Sequence, residues 1–553
     1  MSLRIVPRQF QAPLPLSDLV VDGAPGEDAI PMDVVFVGAG PAGLAGAIEL
    51  ARLVRQDNEQ GGKLGDVQIA VLEKAGELGQ HNLSGAVMNP RALRELFPGK
   101  PDAEFPFLRK PVDQEAVYLL GERSARRLPT PPTMRNHGNF VVSICELVRW
   151  LGEQAEALGV QVFPGFPVAS LLTQGSRVLG VRTVPTGLDR DGKPGSSFEP
   201  AGDIGAKVVA LTAGTRDPLT QAWLQWQKVA QRNPQIFALG VKEVWEVKKP
   251  LTQVIHTMGW PLPKDAFGGS WLYPMGDDLV SLGLVVGLDY RQTTLDVHGL
   301  LQKLKRHPLV AGILAGGSFD EWGAKTIPEG GYWSLPERLV GDGLVVCGDA
   351  AGLVDVPSLK GIHYAMQSGM YAARAIFAAL KADDTGQAKL AVYDQTLRSS
   401  YVVADMHRTR NMRLAFKSGF YWGGVKAGLM TLSGGRLLGG HVHVEEDAAE
   451  PKDVTPLAHQ EGDGELTFRK VDAVFKSGNA TRDSIPSHLS VAGDVPPDVA
   501  RMYEAMCPAH VYEAQDGKLV VNAPNCIDCK ATDVLGPRWQ PREGGSGPRY
   551  RRM

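Results

Sequence analysis

The run Val34-Val35-Phe36-Val37-Gly38-Ala39-Gly40-Pro41-Ala42-Gly43-Leu44-Ala45-Gly46-Ala47 reads as an apolar strand that turns through glycines directly into a helix. Such a unit holds a dinucleotide pyrophosphate, because unpaired backbone N–H groups and the helix dipole at the helix N-terminus favour an anion. Gly38 serves the tight turn, Gly40 lets backbone approach the phosphates, and Gly43 lets the helix pack on the strand. Pro41 and Ala42, in the first helical turn, complete the expected contact. A second strand, Val67 to Leu72, ends in Glu73-Lys74, and an acid there accepts the adenosine ribose hydroxyls. Glu73 lies farther from Gly43 than the usual ~20 residues. The polar, Gly-rich stretch from Gln56 to Asp66 reads as the surface insertion responsible. The expected ligand is a flavin or a nicotinamide dinucleotide.

A second signature decides between them. Gly343-Leu344-Val345-Val346-Cys347-Gly348-Asp349-Ala350-Ala351-Gly352 reads as a buried strand ending on Gly-Asp, and a helix starting near Gly361 follows through Met366, Gly369, Ala372 and Ala373. In this arrangement Asp349 hydrogen-bonds the ribityl chain of a flavin, and backbone N–H groups near Gly361 and Ile362 face the pyrimidine end of the isoalloxazine. A nicotinamide needs no such second site, so FAD is the expected cofactor.

The 553 residues exceed one ordinary core, which sets an expectation of about two to four domains. With 43% hydrophobic and 22% charged residues the chain is globular, and a net charge of −3 gives no electrostatic case for nucleic acid. Basic residues are scattered except for a short tail at Arg549, Arg551 and Arg552. No segment reaches the ~18 uninterrupted apolar residues of a membrane span. Met1 to Met32 lacks the basic start and apolar core of a secretory signal, and is too Arg-poor and acidic for a mitochondrial presequence, so a prokaryotic cytoplasmic location is expected. The five cysteines are unevenly placed and make no disulfide framework. Cys145 and Cys347 lie in apolar contexts and read as inert core residues.

Between the two signatures, Ile144, Leu147, Val148, Leu151, Ala155 and Leu158 trace one helical face, Gly159 ends it, and Val160 to Phe163 resumes a strand. Gly205 to Gly214 is a further buried strand ending in small residues that approach the cofactor. The expected class is α/β, α+β in part, built on a discontinuous Rossmann-like FAD domain. Its expected parts are an extension over residues 1–30, a first FAD portion over 31–229, an insert over 230–331, a second FAD portion over 332–400, a helical segment over 401–450 and a C-terminal domain over 451–553.

The insert carries Phe237-Ala238-Leu239-Gly240-Val241-Lys242-Glu243-Val244-Trp245, His256-Thr257-Met258-Gly259-Trp260-Pro261-Leu262, Phe267-Gly268-Gly269-Ser270-Trp271-Leu272-Tyr273 and Gly287-Leu288-Asp289-Tyr290. In order and spacing these resemble the electron transfer flavoprotein:ubiquinone oxidoreductase family. The same resemblance appears in Glu73-Lys74 with Leu83-Ser84-Gly85-Ala86, in Asn136-His137-Gly138-Asn139, in Glu329-Gly330-Gly331-Tyr332 and in Lys360-Gly361-Ile362-His363. It continues through Cys507-Pro508-Ala509-His510-Val511-Tyr512-Glu513 and Glu543-Gly544-Gly545-Ser546-Gly547-Pro548, so it runs from about residue 33 to the last residue. It implies that electrons arrive singly from a soluble flavoprotein, accumulate on FAD and leave as a pair to a membrane quinone. It extends the FAD contacts to Lys74, Ser84 and Gly85, places the quinone carbonyl against backbone of Gly268 and Gly269, and makes the insert the quinone-binding domain and the C-terminal part a ferredoxin-like iron–sulfur domain. One departure keeps a second reading open. Gly348-Asp349-Ala350-Ala351-Gly352 follows the general flavoprotein pattern rather than the Gly-Cys-Ser-Pro-Gly of that family, as an FAD-dependent reductase of the geranylgeranyl-reductase-like group would.

A quinone pocket must open into lipid. Met412 to Leu432 contains Phe416, Phe420, Tyr421, Trp422, Val425, Ala427, Leu429 and Met430, interrupted by Arg413, Lys417 and Lys426. Charges make it too costly to span. Met412, Phe416, Phe420, Ala427 and Met430 share one helical side with Arg413 and Lys417 beside it, the pattern of an element in the headgroup plane, although Gly423 and Gly424 weaken the helix. A core-facing helix is the competing reading. The resemblance adds Leu128 to Thr133 as a second membrane contact, and the expected location is peripheral on the cytoplasmic face of a bacterial inner membrane.

The resemblance implies four cluster thiolates, a Cys-Pro and then Cys-x-x-Cys-x-x-Cys. Cys507, Cys526 and Cys529 occupy three of these positions, and Thr532 stands at the fourth. The open outcomes are a three-iron cluster on three thiolates, or a four-iron cluster whose last iron takes water, Asp533 or another ligand. A Cys3His zinc site using His510, which replaces an expected glycine, and an empty cysteine trio also stay open. With a degenerate metal site the chain would be a quinone- or flavoprotein-binding protein without electron entry.

Overall fold

In the computed structural model, which describes residues 3–85, 87–109, 111–276, 278–458 and 461–553, Val34, Val35 and Phe36 are fully buried. Ala86 of the Leu83-Ser84-Gly85-Ala86 motif lies outside the described residues. Burial on both faces is the condition of a central parallel strand, and it explains the unbroken apolar run. Strand Ile30–Val37 pairs in parallel with Ile69–Glu73 on one side and with Asp203–Leu211 on the other. Along the second half of Asp203–Leu211 runs Leu344–Val346, also parallel. Leu211 is in register with both Val37 and Val346. The two glycine-bearing signatures, three hundred residues apart in sequence, therefore leave the sheet from the same edge. Among the described residues the sheet is completed by Val20–Asp22, Val168–Gln174, Arg177–Thr183, Gln161–Pro164 and Val340–Gly341. Val20–Asp22 belongs to the expected N-terminal extension yet pairs with Val168–Gln174, so that segment is part of the sheet.

From this edge, helix Pro41–Glu59 follows Gly40 and helix Ile362–Lys381 follows Gly361. The first helix absorbs the start of the expected 56–66 insertion, because the helical pattern continues to Glu59. The two helices cross backbone to backbone. A Cβ on Gly369 would collide with the Ala42 carbonyl, and a Cβ on Gly46 would lie 3.1 Å from the Gly369 carbonyl oxygen and 2.7 Å from the Phe36 ring. Small residues at the crossing bring both helix N-termini together over one cleft.

A second sheet has the strand order Ser318–Pro328, Phe237–Glu246, Leu279–Gly287, Gly268–Pro274, Val254–Gly259, Glu115–Leu120, Ala125–Leu128. The last two strands lie outside the expected 230–331 insert; Glu115–Leu120 pairs in parallel with Val254–Gly259, a long-range partnership that no local pattern announces. One face packs on helix Val297–Lys305, where the buried Lys305 ammonium bonds both Glu243 carboxylate oxygens at 3.0 and 2.9 Å. The other face meets the FAD domain. There Lys242 Nζ donates to the Ser84 carbonyl at 2.9 Å, and Gly85 lies against Trp271 and Tyr273.

The C-terminal region is not a detached domain. Cys507, Cys526 and Cys529 share one apolar cluster with Trp245, Leu284 and Trp322 of the second sheet, and the Cys529 carbonyl accepts the Thr326 N–H at 3.0 Å. The expected basic tail is docked: Glu321 accepts the Arg551 and Arg552 backbone N–H groups, and the Met553 carbonyl accepts the Ile144 N–H.

Gly369→Val should force the helix pair apart at a cost of at least the ~1–3 kcal/mol of overpacking. A lower thermal midpoint and a lower flavin content per chain are the expected outcomes.

Candidate flavin and iron–sulfur sites

The glycines of the first loop divide by role. Gly38 has φ 108, and a Cβ there would lie 2.8 Å from both the Thr212 carbonyl oxygen and Ala213 Cα. Gly43 packs so that a Cβ would strike the Gly38 carbonyl and approach Thr212 Oγ1 to 2.8 Å. Both glycines are required by the protein itself. At Gly40 the nearest atom to a Cβ is Asn82 Nδ2 at 3.9 Å, so the space in front of it is open. Thr212, whose hydroxyl bonds the Gly38 carbonyl at 2.9 Å, was not singled out in the sequence; its signal is a small polar residue ending a buried strand. Glu73, the acid expected at the ribose, accepts the N–H groups of Ala39 at 3.0 Å and Ala75 at 2.9 Å and so braces the glycine loop. Pro41 and Ala42 form the buried first turn.

Across the cleft, burial pushes the Asp349 carboxyl up to about 6. A Cβ on Gly361 would lie 3.7 Å from Asp349 Oδ1, which puts this carboxyl at the N-terminal end of the second helix, beside Ile362. A half-buried carboxyl in that position is matched to hydroxyl partners rather than to a cation. Gly-rich loop, braced acid, two convergent helix ends and half-buried Asp349 fit an FAD. When bound it supplies one- and two-electron chemistry.

Cys507, Cys526 and Cys529 line one small enclosed cavity with Tyr512, Lys530, Thr532 and Trp539. Burial pushes all three thiols up, Cys526 to about 12. Burial also pushes Lys325 down to about 7 and Lys530 down to about 8. Three convergent sulfurs with buried ammonium groups around them fit an anionic iron–sulfur cluster, whose thiolates the metal would keep deprotonated. Thr532 forms a wall at the fourth position, with its hydroxyl 3.5 Å from the Tyr512 hydroxyl. Asp533 is turned away: it accepts from Arg216 Nε at 2.7 Å and from the Trp539 N–H at 2.9 Å, so it is no fourth ligand. His510 does not line the cavity; it is 32% exposed and lies 3.3 Å from Glu513. The Cys3His arrangement that its spacing allowed is thus not assembled, because φ 52 at His510 turns the chain outward. His488, Cys526 and Asp528 have ligand atoms within 4.8 Å of one another, but Asp528 is already compensated by cations and leaves no charge for a metal.

Asp528 is the residue that motif reading missed. Its carboxylate pairs with Lys74, accepts from Arg542 at 3.0 Å and from Trp539 Nε1 at 2.9 Å, and lies 3.6 Å from His81. Burial alone would raise it, yet Arg542, Lys74 and the histidines hold it well below the ordinary carboxylate value. Lys74, expected at the cofactor, thus reaches the cysteine loop, with its ammonium 5.1 Å from the Trp539 ring centroid.

Gly268 and Gly269 open strand Gly268–Pro274. A Cβ on Gly268 would strike the Val285 carbonyl, and one on Gly269 would lie 2.8 Å from that of Thr257, so sheet pairing itself demands glycine. Phe267 beside them packs against Phe416, with ring centroids 5.1 Å apart and planes tilted by 59°. The expected helix over 412–432 is broken: Met412–Ala415 and Phe420–Leu432 are separated by a tight turn and Gly419 at φ 92. Its faces are also reversed. Met412 and Met430 pack together with Ala415 inside. Tyr421, Trp422, Val425, Leu429 and Leu432 are the exposed apolar residues, from 43% to 87% accessible. Arg413 is no basic edge but is buried between Glu329 at 2.6 Å and Asp289 at 2.9 Å, while Lys417 pairs with Glu450 at 2.6 Å. Among the described residues no helix is long and apolar enough to cross a membrane.

Since Gly40 has room for a side chain, Gly40→Val should fold normally and lose FAD; full flavin occupancy in that variant would move the cofactor elsewhere. Asp528→Asn leaves Lys74 and Arg542 uncompensated, a loss of about 3–5 kcal/mol for a buried pair, seen as a lower thermal midpoint. A depressed carboxylate stabilises fully above its unfolded value of ~3.9 and loses that contribution as pH falls towards its folded value. The gap between wild type and Asp528→Asn should be constant from about pH 5 to 8 and shrink only in stronger acid.

Residues 237–327 match the family model for the ubiquinone-binding region of ETF-QO, and residues 464–551 match that for the 4Fe-4S domain of electron transfer flavoprotein-ubiquinone oxidoreductase. The mitochondrial electron transfer flavoprotein-ubiquinone oxidoreductase of Oryza sativa subsp. japonica is 36% identical, covering 95% of this chain and 93% of the relative. That of Arabidopsis thaliana is 37% identical over 95% and 85%, and that of Bos taurus 36% over 94% and 89%. Among solved structures, a geranylgeranyl bacteriochlorophyll reductase-like protein from Thermoplasma acidophilum superposes with TM-score 0.57 at 18% identity, covering 74% of this chain and 93% of its own. A flavin-dependent brominase superposes with TM-score 0.50 at 17% identity, over 73% and 94%. These two likenesses show an FAD-binding fold and nothing of the reaction. The sequence relatives, by contrast, share nearly the whole length, and the chain belongs to the electron transfer flavoprotein-ubiquinone oxidoreductase family.

Proposed function

We propose that this protein takes electrons from an electron transfer flavoprotein and delivers them, through FAD and an iron–sulfur cluster, to ubiquinone or another membrane quinone. The observation that carries the reading is the Lys74–Asp528 ion pair, which ties the end of the FAD strand Ile69–Glu73 to the loop between Cys526 and Cys529. Two redox sites bound to opposite ends of one dipeptide are held in fixed relation, as electron relay requires. Gly38, Gly40, Gly43, Glu73, Asp349, Gly361 and Ile362 hold the flavin, and the second sheet, lying on Ser84 and Gly85, excludes water from it. Gly268 and Gly269 present backbone to the quinone. Mixing the flavin-loaded protein with a reduced electron transfer flavoprotein should bleach the flavin, and ubiquinone-1 should restore its absorbance. Reduction of a prenyl double bond instead would favour the geranylgeranyl-reductase-like reading.

Cys507, Cys526 and Cys529 hold the cluster with no fourth protein ligand, since Asp533 and His510 are engaged elsewhere. Anaerobically purified protein should contain iron and acid-labile sulfide and give an EPR signal in the oxidised state, as a three-iron cluster does. Thr532→Cys should move the signal to the dithionite-reduced state. Zinc without sulfide would overturn the assignment.

The exposed residues Tyr421, Trp422, Val425, Leu429 and Leu432 support peripheral membrane contact, and the cytoplasmic face of a bacterial inner membrane is the proposed location. Trp422→Asp with Leu429→Asp should reduce co-sedimentation with phospholipid vesicles without altering flavin content. Unchanged sedimentation would remove this helix from the membrane surface.

A further inference from the structure

His256 is buried among the strands of the second sheet, and its Nδ1 has no hydrogen-bond partner within the described protein. Its Nε2 lies 2.6 Å from the Tyr273 hydroxyl. Burial pushes the imidazole down to about 3 and the phenol up, so both groups are neutral at physiological pH. We assign the Tyr273 phenol as the donor to Nε2, which places the single imidazole proton on Nδ1. An orphaned N–H in so dry a place costs on the order of 1–3 kcal/mol unless a ligand oxygen meets it.

The register says which ligand. His256 is opposite Trp271, so residues 269 and 273 are its diagonal neighbours on the same face of the sheet. Tyr273 takes one diagonal. The other is Gly269, which has no side chain and leaves only backbone at that diagonal. That face meets the FAD domain, since Trp271 and Tyr273 lie 3.5 and 3.8 Å from a Cβ built on Gly85. Lys360, whose charge acts on His256, immediately precedes Gly361 at the flavin end of the second helix. His256 therefore stands on the sheet face that meets the FAD domain, one diagonal from the bare backbone of Gly269.

We infer that His256 donates, from Nδ1, the hydrogen bond that holds a quinone carbonyl oxygen beside Gly269, and that Tyr273 is a positioning residue that fixes the required tautomer. The inference rests on the quinone reading above. An N–H at this oxygen also stabilises the negative charge that grows there as electrons arrive.

Steady-state reduction of ubiquinone-1 by the flavin-loaded protein tests it. His256→Leu should raise KM for ubiquinone-1 roughly tenfold, the effect of one buried hydrogen bond. His256→Asn, whose amide N–H stands where Nδ1–H does, should rescue KM to near wild type. Tyr273→Phe, which frees the tautomer, should raise KM while leaving flavin content and the flavin absorption spectrum unchanged. An unchanged KM in His256→Leu would overturn the inference, and a shifted flavin spectrum with it would assign the N–H to a flavin carbonyl. If His256→Leu does not fold, an unchanged KM in Tyr273→Phe overturns it equally. Wild-type protein that fails to reduce ubiquinone-1 at all would overturn the quinone reading and this inference with it.

Discussion

The buried carboxylate of Asp528 is the interaction on which the arrangement of the redox sites depends. It sits between two of the cysteines and draws in Lys74 from the FAD strand, Arg542 and Trp539 from the C-terminal segment, and His81 from the loop after the acid–lysine pair. Burying one charge is costly, and here the cost is offset by partners contributed from both sides of the interface. Those partners are compensated only when the cysteine loop is docked, so docking and charge compensation are one event. Lys325, which donates to the Asp528 carbonyl at 3.2 Å, adds a partner from the second sheet, so all three parts of the molecule meet at this loop.

The broken helical stretch from Met412 to Leu432 is organised on the same principle. Arg413, with Glu329 and Asp289 as partners, lies 4.1 Å over the Phe267 ring. Its charge anchors the broken helical stretch to the residue beside Gly268 rather than to headgroups. The outer helix is left to carry apolar side chains alone, held at its base by Gly423 against Phe416.

Much of this was legible in the sequence where one local pattern had one structural solution. The strand–glycine–helix unit, the Gly348-Asp349 turn and the helix starting at Ile362 were, because buried parallel strands and helix N-termini constrain consecutive residues. The three cysteines and Thr532 fell together as their spacing implied. What stayed hidden depends on partners distant in sequence. Lys74 reads as a cofactor contact until Asp528 is known to face it. The pairing of Glu115–Leu120 with Val254–Gly259 joins segments over a hundred residues apart. The reversed face of Phe420–Leu432 follows from Gly419, which interrupts the helical phase so that positions before and after it no longer share a side. His510 looked like a ligand because spacing does not reveal a left-handed backbone.

The crossing of helices Pro41–Glu59 and Ile362–Lys381 at Ala42, Gly46 and Gly369 has a consequence in time as well as in space. A contact of backbone on backbone contains no rotamers, so picosecond-to-nanosecond side-chain motion cannot widen it. The two anion-facing helix ends must move as one body. Any change in the spacing of the two ends is therefore slaved to slower, collective displacement of the helix pair.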